Sequence, residues 1–272
     1  AGLEFAMGRF NLAESAAQQA ADLLSQRIEK GNATVPIRVL HIFALVSRAA
    51  SLRELGQLDE AKQQVDQGYE LAWSLFNSWS LDPNAAIARA SALRERVRLQ
   101  LTDPEPRDGL IALSNQALVA HASLFNQHKE IATIRQAMAE ALNDRAEVHL
   151  ALGEVGKAEA DAKAVLSRLD EGLESIRNRP STARERGRAF ESLAKVARLQ
   201  GDFEGERNRL KDALVAFEQA LEVDPDRFHD RRDVERLRPQ LDPALKSSTD
   251  AASVYSRMIP TYGLDYGKFG NP

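Results

Sequence analysis

"LGQLDEAKQQVDQGYELA", Leu55 to Ala72, is the stretch whose reading decides the fold. A glycine is followed by an acidic pair, then by small and apolar residues at helical spacing. The arrangement recurs. Gly8 opens "GRFNLAESAAQQAADLL", Gly153 opens "GEVGKAEADAKAVLSRL" and Gly201 opens "GDFEGERNRLKDALVAF". The spacings are 48 from Gly8 to Gly56, 97 from Gly56 to Gly153 and 48 from Gly153 to Gly201. The middle value is two steps, which places a further turn near residue 104, where "TDPEPRDG" supplies Pro and Asp instead of Gly. A fixed period of this size is the signature of a repeat array.

The flanking positions match in character. Two residues after each glycine stand Phe10, Leu58, Val155 and Phe203. Five after stand Ala13, Ala61 and Ala158, with Glu206 the exception; nine after stand Ala17, Val65, Ala162 and Leu210. Twelve after stand Ala20, Gly68, Val165 and Ala213, and seven before stand Ala49, Ala146 and Ala194. Small residues at fixed places on two successive helices predict close approach of their backbones. The glycine between them supplies the left-handed conformation that ends the first helix.

This pattern, with "ALVAFEQALEVDPD" (Ala213 to Asp226) as a second helix and closing Asp-Pro, resembles the tetratricopeptide repeat over roughly residues 1–225. That family builds a helix-turn-helix unit of about 34 residues. Two features depart from it. The aromatic early in the first helix is missing, and the closing proline comes late after Gly201. The extra ~14 residues per unit are close to four helical turns, so lengthened helices keep the same faces inward. The resemblance implies an all-α, right-handed superhelical array of antiparallel helix pairs. It is similar to the long-repeat arrays attached to bacterial signalling NTPases and protein kinases.

Helices are predicted over about 9–30, 36–55, 58–79, 83–102, 107–127, 129–152, 155–177, 182–200 and 203–223. Asp82-Pro83 and Asp103-Pro104 read as cap signals. Ser181 or Thr182, with Glu185, reads as a capping box. Pro239 and Pro243 interrupt the next unit, so residues 226–245 form a capping region whose helix stops near 238. Residues 246–272 hold Tyr255, Tyr262, Tyr266 and Phe269 among glycines, and read as a docking tail or a linker.

Composition narrows the function classes. Lys and Arg total 36 against 40 Asp and Glu, a net charge of −4, which argues against a general nucleic-acid binder. The absence of cysteine excludes disulfides and thiol chemistry, and fits the cytoplasm. No apolar run is expected to reach the ~20 residues of a membrane span. "AGLEFAMGRF" lacks the regions of a secretory signal and does not begin with Met, so it reads as the start of a processed or excised chain.

No Ser/His/Asp signature and no Gly-rich phosphate loop is present, so no catalytic residue, cofactor or metal is expected. His121 and His128 lie seven apart but lack converging ligands, and a structural role is the plainer reading. "IRNRPSTARERGR" concentrates Arg177, Arg179, Arg184, Arg186 and Arg188. Such a cluster suits phosphates or acidic peptides, or a rim paired with Glu174 and Glu185.

In arrays of the resembled family the first helices line a concave groove. By register the groove positions here are Arg53, Arg94, Arg98, Asn143, Glu147, Glu191, Lys195 and Arg198. The plain alternative is a solvated helix face. The expected function is a protein-protein interaction module holding a peptide or protein segment, a scaffold or regulatory part of a larger signalling protein. The alternative is a ligand-sensing domain controlling an attached catalytic domain. Neither nucleic acid nor membrane is expected as a partner.

Overall fold

The computed structural model describes residues 1–102, 109–128, 131–171 and 179–241. Among these it contains helices and no strand. They are α1 (Gly2–Ala6), α2 (Phe10–Glu29), α3 (Val35–Glu54), α4 (Leu58–Ser78), α5 (Pro83–Thr102), α6 (Leu110–Gln127), α7 (Ala132–Ala151), α8 (Val155–Asp170), α9 (Pro180–Leu199), α10 (Phe203–Val223) and α11 (Phe228–Leu241). Each helix packs on the next, as short loops between antiparallel helices require. In addition α3 packs on α5, α5 on α7 and α7 on α9. The odd-numbered helices therefore stack directly on one another. From α3 to α11 they begin at residues 35, 83, 132, 180 and 228, in steps of 48, 49, 48 and 48.

The four glycine turns are copies of one motif. Gly8, Gly56, Gly153 and Gly201 have φ of 74°, 76°, 74° and 78°. After each, the next amide reaches back across the turn. Arg9 N donates to Glu4 O, Gln57 N to Leu52 O, Glu154 N to His149 O and Asp202 N to Ala197 O, at 2.8–2.9 Å. These bonds satisfy carbonyls that a helix end leaves open, and the left-handed residue makes them reachable. The expected turn near 104 lies outside the described residues. The second helix of that pair starts at Leu110, behind Gly109 with φ 81°.

The small residues lie where the helices touch. Ala13, Ala61, Ala158, Ala162, Ala146 and Ala213 are fully buried. Ala61 packs with Ala49, Leu52, Val65 and Leu99, which join α3, α4 and α5. Ala61→Leu and Ala158→Leu should each overpack such a contact, at about 1–3 kcal/mol. A thermal melt followed by circular dichroism checks this; unchanged melting in both would show the contacts are loose.

Three expectations are corrected. An eighteen-residue stretch of α3 has a mean hydropathy of 1.4, enough by length and composition to cross a membrane. Its apolar residues serve the core instead: Val39, Ile42, Leu45 and Leu52 are buried against α2, α4 and α5. The capping box at the start of α9 does not form. Arg179 precedes the helix, Pro180 starts it, and Glu185 turns inward. Finally, α11 runs through Pro239 to Leu241, where the described residues stop. Pro239 has no N–H to donate to the Glu235 carbonyl, and the helix continues past it. Asp82 does cap α5 as its sequence suggests, accepting from the amides of Asn84 (2.8 Å) and Ala85 (3.3 Å). Residues 246–272 lie outside the described residues.

The two ends of the described chain touch. The Phe228 ring of α11 stands edge-on to Phe10 with centroids 5.4 Å apart, and His229 lies 5.5 Å from Phe5. A Cβ on Gly8 would stand 2.5 Å from the Phe228 ring, so the glycine there serves both its turn and this contact.

Candidate functional site

The stacked odd-numbered helices carry a ladder of ion pairs. Between α3 and α5, Arg53 Nε donates to Glu95 at 2.8 Å. Between α5 and α7, Arg98 donates to Asp144 at 3.0 Å and Arg94 pairs with Glu140. Between α7 and α9, Arg188 donates to Asp144 (2.6 Å) and Glu147 (3.0 Å), while Asn143 Nδ2 donates to the Glu185 carboxylate (2.9 Å) and carbonyl (3.0 Å). Between α9 and α11, Arg184 donates to Asp230 at 2.6 Å and Arg236 to Glu191 at 2.6 Å. The partners lie 41–46 residues apart, somewhat short of a full repeat step.

Burial and charge compete along this ladder. Burial works against the Asp144 charge, but Arg98, Arg188 and Arg94 outweigh it and hold its carboxyl well below the usual range. Glu140 is shifted the same way by Arg94 and Arg98, against its own burial. For Glu185 burial wins over Arg188, and its pKa is raised. Glu191, opposite Arg236, is also raised by burial. The strongest ionic centre is therefore Asp144, on the middle odd-numbered helix.

Of the residues expected to line the groove, the structure brings together Arg94, Arg98, Asn143 and Glu147, around Asp144 and Arg188. Arg53 joins the ladder at α3, and Glu191 joins it at α11's side. Asn143 is not a surface position: it is fully buried, with its amide nitrogen committed to Glu185 and its Oδ1 without a hydrogen-bond partner. Lys195 and Arg198 are exposed on α9, outside the ladder's pairs, with Glu206 3.7 Å from Arg198. Of the arginine-rich stretch, Arg184 and Arg188 point into the ladder, Arg186 pairs with Asp170 at 2.5 Å, and Arg177 and Glu174 lie outside the described residues. Glu185, expected to pair with the arginines of its own stretch, does accept from Arg188 at 3.2 Å. Sequence reasoning missed Glu95, Glu140, Asp144 and Asp230. Opposite charges slightly less than one repeat apart were the signal for them.

Among the described residues, no group of three or more His, Asp or Glu is placed to hold a metal ion. His121 is buried beside the ladder on α6; burial, then Arg94, lowers its pKa to about 4. His229, near the chain's meeting ends, is lowered to about 4, mainly by burial. Both stay neutral in the folded state where the unfolded chain takes up protons. The unfolded chain therefore binds more protons between the usual value of 6.5 and about 4. Stability should fall as pH drops through that window, and His121→Gln should flatten the loss. At 1.36 kcal/mol per pKa unit, His121 alone contributes on the order of 3 kcal/mol of it. Equal acid slopes in urea titrations of both proteins would remove His121 as the cause.

No protein-family model matches the sequence, and no curated protein is similar to it at a significant level. Several solved structures resemble the fold, two of them as follows. TTC0263, a thermophilic TPR protein of Thermus thermophilus, is 18% identical and matches 81% of this chain and 98% of its own, with a TM-score of 0.41. BtubC (BKLC) from P. vanneervenii is 11% identical over 97% of this chain and 94% of its own, with a TM-score of 0.52. The fold is an all-α array of antiparallel helix pairs. The turns and buried alanines described above are its repeating parts, and the array's ion-pair ladder runs along its stacked first helices. Likeness at these identities concerns the fold alone.

Proposed function

We propose that this array is a protein-interaction module, a scaffold or regulatory part of a larger signalling protein, whose partner segment lies along the first-helix face. The observation that carries the reading is the chemistry of that face. Helices stacked this closely gain at least as much stability from apolar contacts, because taking charges from water costs several kcal/mol per ion. A charged stack is what a surface needs when it exchanges its pairs with a ligand that carries both signs. Glu147 is its accessible member, and Lys195 and Arg198 are exposed charges on α9 beside it. A tetratricopeptide-like array offers such a surface over its whole length. Its signalling context rests on the sequence resemblance.

A photo-crosslinking amino acid at Glu147 or Lys195 tests it in the producing cells. One defined adduct from both sites, and none from Lys62, exposed on α4, is the expected result. Equal labelling from all three sites would sink the groove reading.

A further inference from the structure

A second surface, away from the ladder, has the chemistry of a ligand site. The end of α4, the turn to α5 and the outer side of α6 enclose a cleft of about 440 Å³. That is within the roughly 300–1,000 Å³ of ordinary binding clefts. Phe76, Leu81, Arg89, Val119, Ser123 and Gln127 are among its walls. Its walls carry exposed apolar side chains, with Leu81 97% exposed and Val119 69%, and Trp79, 55% exposed, directly precedes the wall residues Ser80 and Leu81.

Arg89 is the centre of the cleft. Its guanidinium carbon stands 4.4 Å from the Trp73 ring centroid and 4.7 Å from that of Phe76. Stacking uses the faces of the guanidinium and leaves its in-plane N–H donors for another group. No carboxylate of the described residues takes them, although Arg94, Arg98, Arg184 and Arg188 are all paired. Its Nε is shielded from solvent and has no hydrogen-bond partner. A shielded donor without an acceptor is costly. Asp82, the acid lining the same cleft, is held by the amides at the start of α5. The cation is therefore prepositioned, uncompensated and surrounded by apolar surface.

We infer that this cleft binds a segment of a partner protein in which an Asp or Glu stands beside a bulky apolar residue. The carboxylate accepts from the two terminal nitrogens of Arg89, a bidentate arrangement of the kind arginine favours. The apolar neighbour covers Leu81, Val119 and Trp79. A small carboxylic acid would fill the cleft and leave those side chains in water, whereas a peptide covers both.

Of the chain's two tryptophans, Trp73 stacks on Arg89 and Trp79 directly precedes the cleft's Ser80 and Leu81, so intrinsic fluorescence should respond to its occupancy. The experiment selects displayed random dodecapeptides on the full chain, then titrates the enriched peptides by tryptophan emission. Enriched sequences should share an acid next to a large apolar residue. They should shift the emission saturably and bind at least tenfold more weakly to Arg89→Gln. Leu81→Ser, a change at a fully open position that should leave folding intact, should weaken them too. Lys195→Ala should not, which separates this site from the first-helix face. Failure to enrich any peptide, enriched peptides without the acid, affinity indifferent to Arg89→Gln and Leu81→Ser, or self-association through this face would each overturn the assignment.

Discussion

Asp144→Asn should lower the melting temperature by roughly 10 °C, the largest loss expected from any single charge in the ladder. The Asp144 side chain is 3% exposed and faces Arg188 at 2.6 Å, Arg98 at 3.0 Å and Arg94 at 3.7 Å. Asparagine keeps the shape and removes the charge, so three largely buried arginines lose their common counter-ion. Breaking a buried pair by removing one partner costs about 3–5 kcal/mol. Each kcal/mol moves the melting point of a chain near this size by about 2–4 °C. The arginines keep some access to water, which favours the lower part of that product. Glu147→Gln is the matched control: it touches the same Arg188, but its side chain is 37% exposed, and exposed pairs contribute about 0–1 kcal/mol. The acid dependence has a definite sign. The Asp144 pKa is lowered on folding, so its contribution is complete above the unfolded value and is lost as pH falls through the folded one. The wild-type and Asp144→Asn proteins should therefore converge in stability in strong acid. The His229 contribution cancels from the difference, while that of His121, whose pKa Asp144 raises against burial, is slightly larger in the variant. Equal melting of the two proteins at neutral pH would mean that the ladder is a set of independent surface contacts.

The repeat was legible because it depends on steric demands that few residues meet. A left-handed turn residue without cost is a glycine, and a contact between two helix backbones needs alanine or glycine. Gly56, Gly153 and Gly201 and the alanines around them carry both demands in the open. The ladder was harder to read because charge does not reveal its partner. Arg94 and Arg98 look like groove cations when only their own helix is considered. Glu140 and Asp144 meet them only once α7 is stacked on α5, at an offset set by how the helices cross. Asn143 shows the same limit: a polar residue in a first helix reads as exposed until the carboxylate that accepts from it is found one helix away. The cleft at Arg89 was invisible for a further reason. It joins the end of α4 and the turn to α5 with α6, along which no shared period runs. Pro239 gave a stop signal that the helix does not obey, since it continues through the proline to Leu241.

Gly187→Leu should cost about 3 kcal/mol or more, and together with a second change on the neighbouring helix it should cost clearly less than the sum of the two losses. Gly187 lies inside α9, with no special backbone angle to explain it. Its reason is the ring of Phe217 on α10. A Cβ at this position would stand 2.6–2.8 Å from three atoms of that ring. Phe217 is fully buried and packs with Ala213, Val234 and Leu237, so α11 closes the space on its far side and the ring cannot retreat. A leucine here would displace the ring, and loss of a buried phenylalanine's packing is worth about 3–5 kcal/mol. Gly187→Leu with Phe217→Ala moves the bulk from one helix to the other. The double variant should be more stable than the sum of the two single losses by more than about 1 kcal/mol, the coupling expected of residues in contact. Gly156→Ala gives the contrast. Gly156 is in the first turn of α8 and a Cβ there meets nothing within 4 Å. Alanine should therefore stabilise by up to about 1 kcal/mol through helix propensity alone. Thermal melts of the four variants decide the matter. Strict additivity of the two changes at the α9–α10 contact would show that Gly187 and Phe217 do not share one space.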